Sequence, residues 1–143
     1  MPSSNRSTPD AIQAARAEIA AQIQAYRDLV GAASKASGMS LARIDAALAA
    51  FEPAFFNNLL VALDARFAGR PDTVGPSAEV QLLAAALTRG GGLLAADPAI
   101  PYDADSSVLR IDVGERIALN GDDFEALCAA FLAALETRAA GAA

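Results

Sequence analysis

At 143 residues the chain suits one domain, large enough to bury a core without a metal or disulfide staple. Its 37 alanines supply much of the 54% hydrophobic content, so the large apolar residues must gather into stripes and a mainly helical protein is expected. A net charge of −6, with one lysine and ten scattered arginines, argues against nucleic acid and an anionic membrane surface, and the absence of histidine excludes Ser-His, Cys-His and histidine-based zinc chemistry.

Residues 1–9 are polar with two prolines and read as a disordered arm; they hold no apolar signal-peptide core, and a cytoplasmic protein is expected. Asp10 is the expected N-cap of a first amphipathic helix of about 20 residues, whose stripe is Ile12, Ile19, Ile23, Tyr26 and Val30. Gly31 and the small, polar stretch to Gly38 end it. Ser40 opens a second helix with Leu41, Ile44, Leu48 and Phe51 on one face. Pro53 would break a helix interior but suits a first helical position, so a kink or a fresh start is expected there. The third helix runs to about Phe67, with Phe56, Leu59, Leu60, Leu63 and Phe67 inward, and GRPDTVGP follows as a loop. Ser77 is the expected cap of a fourth helix carried by Val80, Leu83 and Leu87 and stopped after Arg89 by Gly90 to Gly92.

The pattern then changes. SSVLRIDVGERIALN places Val108, Leu109, Ile111 and Val113, then Ile117 and Leu119, around a D-V-G-E turn, which predicts a β-hairpin. Asn120 to Asp123 form a capped, acidic start for a last helix presenting Phe124, Leu127, Phe131, Leu132 and Leu135, and residues 139–143 read as a frayed tail. The expected fold is mainly α: a single helical domain over 10–138, a bundle of four to five helices with one short β-hairpin before the last helix.

Candidates for chemistry are few. Cys128 lies among apolar residues mid-helix and reads as a buried structural thiol rather than a nucleophile. Asp122 and Asp123 are accounted for by capping, and Glu52 and Asp64 lie about 18 Å apart along a continuous helix, too far for one metal. PYDADSS alternates acids like a calcium-loop fragment but lacks the glycine and glutamate such a loop requires. The glycine triplet follows a helix rather than preceding one, so it reads as a helix stop and not as a phosphate loop. No catalytic residue, metal site or cofactor is assigned.

Two adjacent asparagines stand out in FEPAFFNNLL. On a helix Asn57 falls at the border of the apolar stripe and Asn58 on the small, polar side. An unpaired buried amide costs about 1–3 kcal/mol, so Asn57 should have a partner. Three readings compete: Asn57 ties its helix to the backbone of a neighbouring segment such as GGLLAAD; the pair fixes register in an interface; or the pair orients a small ligand in an apolar pocket lined by Phe55, Phe56 and Phe131.

The combination FFNNLLVALDARF, EVQLLAAALTRGGGLLAADPAI and VLRIDVGERIALNGDDFEAL resembles a family of uncharacterised actinobacterial proteins over about Phe51 to Arg138. The resemblance implies a histidine near the position Gly69 occupies here, and it brings no fold, activity or site residue with it. The leading expectation is a non-enzymatic interaction module or accessory subunit, self-associating or binding another protein through an apolar helix face. Ile19, Ile23 and Tyr26 on the first helix, and Phe55, Phe56, Asn57, Asn58 and Arg66 on the third, are its candidate contacts. The alternative is a carrier or sensor of a small apolar ligand in the helical core. An enzyme limited to Asp, Glu, Arg and Tyr comes third.

Overall fold

A computed structural model of the chain describes residues 8–35, 41–70 and 74–141, and among these it holds four α-helices. Helix α1 spans Pro9–Ser34, α2 Leu41–Arg66, α3 Gly75–Arg89 and α4 Gly121–Gly141. The expected cap at Asp10 lies two residues earlier. Thr8 takes the position, its side chain accepting the Ala11 N–H at 3.2 Å, while Asp10 sits in the first turn where negative charge is favoured. The proposed arm over 1–9 and the opening of the second helix at Ser40 fall mainly outside the described residues. Helix α4 continues through Gly141, so most of the expected tail is helical.

Helix α2 runs through Pro53 without interruption, which merges the expected second and third helices. Proline removes one intrahelical hydrogen bond, but aromatic contacts grip the helix on both sides of it. Phe51 lies 6.3 Å from the Tyr26 ring, and Phe56 lies 4.9 Å from Tyr26 and 5.8 Å from Phe124.

Ion pairs fix the helix directions. Arg66 pairs with Glu18 while Tyr26 stacks on Phe51 and Phe55, so α1 and α2 are antiparallel. Arg16–Glu136 and Arg27–Glu125, each 2.5 Å, make α1 and α4 antiparallel as well. Both α1 and α3 pack against α2 and α4, and among the described residues they do not touch each other, so they sit diagonally across a four-helix bundle. The core contains Ile12, Ile19, Leu60, Leu63, Phe67, Leu83, Phe124, Leu127 and Phe131.

Residues 90–120 form a long strap from α3 to α4. Gly91 and Gly92 adopt φ of 65° and 87°, and the Gly92 N–H still reaches the Ala86 carbonyl at 2.9 Å as the helix stops. The β-hairpin expected over 108–119 is absent among the described residues. The D-V-G-E turn does form, with the Glu115 N–H donating to the Asp112 carbonyl at 3.0 Å, but its flanks do not pair with each other. Their backbone groups are bound elsewhere. Val108 and Leu109 donate to the Glu79 carboxylate, Ile111 accepts from Tyr102, and Ile117 and Leu119 bond Asn57. Arg110 sits at φ 55°, a left-handed conformation that interrupts an extended run. The one antiparallel bridge in this region that crosses the strap joins Leu93 to Arg116. Side chains, and beside the turn the backbone of Gly92 and Leu94, thus take the strap's donors and acceptors in place of a hairpin ladder.

Candidate functional site

The helices differ in length, and the difference creates the most distinctive surface of the molecule. Helix α3 has 15 residues, about 22 Å, against 26 residues and about 39 Å for α1 and α2. Helix α4 begins beside Phe56, whose ring leaves only 3.2 Å to where a Cβ on Gly121 would stand. Beyond that level α4 still meets the two helices through the Arg27–Glu125 pair and the Gly121 N–H donated to Glu52 at 3.4 Å. The rest of both limbs, from Asp28 on α1 and up to Phe51 on α2, runs on past it. The buried residues of α1 are Ile12, Ala15, Ile19 and Ile23, and those of α2 are Phe56, Leu60 and Leu63. No residue in 24–35 or 41–55 is buried.

This two-helix arm nonetheless keeps an apolar stripe. Tyr26 stacks on Phe51 and Phe55 at its base, while Val30, Leu41, Ile44 and Leu48 are only half-buried. Leu29 is 49% exposed and Phe51 43%. Burial, and Glu52 beside it, push the Tyr26 hydroxyl above its ordinary value. By length and composition α2 could cross a membrane, and only 17% of its most apolar 18-residue stretch is buried.

The candidate residues from the sequence divide between body and arm. Ile19, Ile23 and Phe56 are buried in the chain's own core, whereas Tyr26 and Phe55 sit half-buried at the base of the arm. Arg66 is held by Glu18, and Asn58 is exposed. Asn57 does tie its helix to a neighbouring backbone, although the segment is 117–119 rather than GGLLAAD. Its Nδ2 donates to the Ile117 carbonyl at 3.2 Å, and its Oδ1 accepts the Leu119 N–H at 3.2 Å. The amide thus makes, on one side of α2, the pair of bonds a neighbouring strand would have made. Phe55, Phe56 and Phe131 do not enclose one pocket. Phe56 packs on Phe124, and Phe131 lies seven residues further along α4, against Phe67 at 5.8 Å and beneath the Arg70 guanidinium at 4.9 Å.

Cys128 is buried, and its thiol is pushed up to about 11, by desolvation before any nearby charge. It lies on the floor of a 320 Å³ groove between α1 and α4, with Arg16 and Arg27 along the groove and tethered by their glutamates. Asn120 and Asp123 cap α4 reciprocally, with the Asp123 N–H donating to Asn120 Oδ1 at 2.7 Å and the Asn120 N–H to Asp123 Oδ2 at 3.4 Å.

Three polar residues that organise the molecule were not singled out from sequence. The Arg70 side chain is almost fully buried; it donates to Asp64 Oδ1 at 2.8 Å, Ser77 Oγ at 2.6 Å and the Ser77 carbonyl at 3.0 Å, locking the α2–α3 corner. Ser77 therefore serves that corner, and Val74 occupies the N-cap of α3 without a side-chain bond. Glu79 is 2% exposed, and its carboxylate receives the Val108 N–H at 2.7 Å and the Leu109 N–H at 3.1 Å. Desolvation raises its pKa, opposed by those two donors. Tyr102, half-buried, donates its hydroxyl to the Ile111 carbonyl. A signal for Glu79 existed: it falls in one helical register with Leu82, Leu83 and Ala86, a carboxylate set into an apolar stripe. Comparison of the chain with protein-family models, with curated proteins and with solved structures found no match.

Proposed function

We propose that the protein is a non-enzymatic interaction module whose α1–α2 arm docks against the arm of a second copy. The observation that carries this reading is the absence of any buried residue in 24–35 and 41–55 despite an apolar stripe along both limbs. A pair of helices that cannot cover its own stripe is completed by another pair, giving a four-helix arrangement. A two-fold axis does this with one self-complementary patch.

Charge permits a second copy and argues against a membrane surface. With Arg27 tied to Glu125, Lys35 against Asp28 leaves the α1 limb neutral, and Arg43 against Asp45 and Glu52 leaves the α2 limb at −1. The arm thus carries little of the chain's net charge of −6, so charge does not oppose two copies meeting there. A membrane-surface helix would instead gather Lys and Arg on its polar face. Leu29 and Phe51, each about half exposed, stand to contribute about 1 kcal/mol apiece per copy on burial.

Light scattering of the wild type and of a Leu29→Glu, Phe51→Glu variant tests the reading. The wild type is expected to run as a dimer at micromolar concentration, and the variant as a monomer with unchanged helical circular dichroism. A monomeric wild type that sediments with neutral or anionic vesicles would replace the second copy by a lipid surface. A monomer that ignores vesicles would remove the reading.

A further inference from the structure

The 450 Å³ pocket between the N-terminal end of α3 and the strap lies on the opposite limb of the fold from the arm's free end, and nothing in the proposed association uses it. Its walls are mainly apolar, from Val74, Pro76, Pro101 and Val108 together with Tyr102, and Ser106, Ser107, Asp103 and Glu79 supply its polar lining. The Tyr102 hydroxyl is committed to the Ile111 carbonyl, so what this residue offers the pocket is its ring.

Glu79 is the unusual element. A carboxylate that is 2% exposed is costly to keep ionised unless a cation or a full set of donors compensates it. Two backbone N–H groups point at it, and among the described residues no arginine or lysine pairs with it. Asp103 is the other charged residue lining the pocket, and its carboxylate accepts the Asp105 N–H at 3.1 Å. Two negative charges therefore face the pocket, against roughly half a positive charge from the α3 N-terminus.

We infer that this pocket binds a small organic ammonium ion, its cationic head toward Glu79 and its apolar part against Val74, Pro101, Val108 and the Tyr102 ring. The lining distinguishes this class from a bare metal ion. A bare metal ion needs several converging ligands, and no set of three or more Cys, Asp or Glu side chains converges among the described residues. An aromatic ring with one buried carboxylate and apolar walls suits an alkyl- or arylammonium, which gains from the ring face as well as from the charge. The volume is within the range, roughly 300–1,000 Å³, of small-molecule sites.

An amide NMR titration of the full chain with benzylammonium, and separately with benzyl alcohol, tests the assignment. Benzylammonium is expected to shift the Val108, Leu109 and Ser106 amides saturably with a dissociation constant below about 1 mM, the alcohol at least about tenfold more weakly. Glu79→Gln withdraws an acceptor from the strap and can loosen it, so the charge test rests on Val74→Lys at the exposed rim. That variant places an ammonium group beside the carboxylates without touching the core, and it is expected to weaken benzylammonium at least about tenfold while other amides keep their positions. Equal affinity for the alcohol, shifts confined to residues elsewhere, no saturable shift to about 10 mM, or an unaffected Val74→Lys would each overturn the assignment.

Discussion

Replacing Asn57 by alanine should unlatch the strap from α2. The substitution removes the donor to the Ile117 carbonyl and the acceptor for the Leu119 N–H, both at 3.2 Å. These two residues are 3% and 1% exposed, backbone included, so their peptide groups gain little from water. Leaving a buried donor or acceptor unsatisfied costs about 1–3 kcal/mol. Taking about 1.5 kcal/mol for each group gives a loss of about 3 kcal/mol. For a domain of this size that corresponds to a fall of about 9 °C in melting temperature. Asn58→Ala, on an exposed neighbour in the same helix, controls for helix propensity and should stay within about 0.5 kcal/mol of wild type. Asn57→Asp keeps the acceptor toward Leu119 but sets an oxygen against the Ile117 carbonyl, so it should not restore stability. Thermal and urea unfolding of the three variants measure this. If Asn57→Ala and Asn58→Ala prove equally stable, the latch contributes nothing and the reasoning fails.

Arg70→Ala should cost about 3 kcal/mol, because Asp64 and the Ser77 carbonyl lose a buried guanidinium. Arg70→Lys should recover little of this, since an ammonium cannot reach Asp64 and Ser77 together as the planar fork does; urea midpoints would show it. With its thiol pushed up to about 11, Cys128 should resist iodoacetamide near pH 8 in the folded protein and react once urea unfolds it. Rapid alkylation of folded protein would contradict the burial. Because Glu79 has a higher pKa folded than unfolded, the native state holds the proton more tightly, and its contribution to stability is lost as pH rises through the folded value. The melting temperature of wild type relative to Glu79→Gln should therefore fall as pH rises just above the ordinary carboxylate range, and an increase would reverse the assignment.

The helices were legible because their stripes are periodic. Ile12, Ile19 and Ile23 on α1, and Phe124, Leu127, Phe131, Leu132 and Leu135 on α4, are buried as spacing requires. Pro53 misled because local rules see the missing N–H, while the contacts of Phe51 and Phe56 with Tyr26 that keep α2 whole come from 25 to 30 residues away. The strap misled for a related reason. Alternating Val108, Leu109, Ile111, Ile117 and Leu119 look like strands, but Glu79, Tyr102 and Asn57 take the backbone groups a ladder would use. Such side-chain-to-backbone bonds leave no period in sequence. The need of Asn57 for a partner was readable from cost alone, and the identity of the partner was not. The arm was hidden for another reason. Its stripe looks the same as that of the body, and only the shortness of α3 and the late start of α4 reveal that nothing among the described residues buries it.

Hydrogen exchange read segment by segment, at about 1 µM and about 100 µM protein, tests the association most directly. Amides of 24–35 and 41–55 should gain protection at the higher concentration while those of α3 and α4 hold steady. Protection independent of concentration in the arm, or gained instead along the α1–α4 groove, would contradict it.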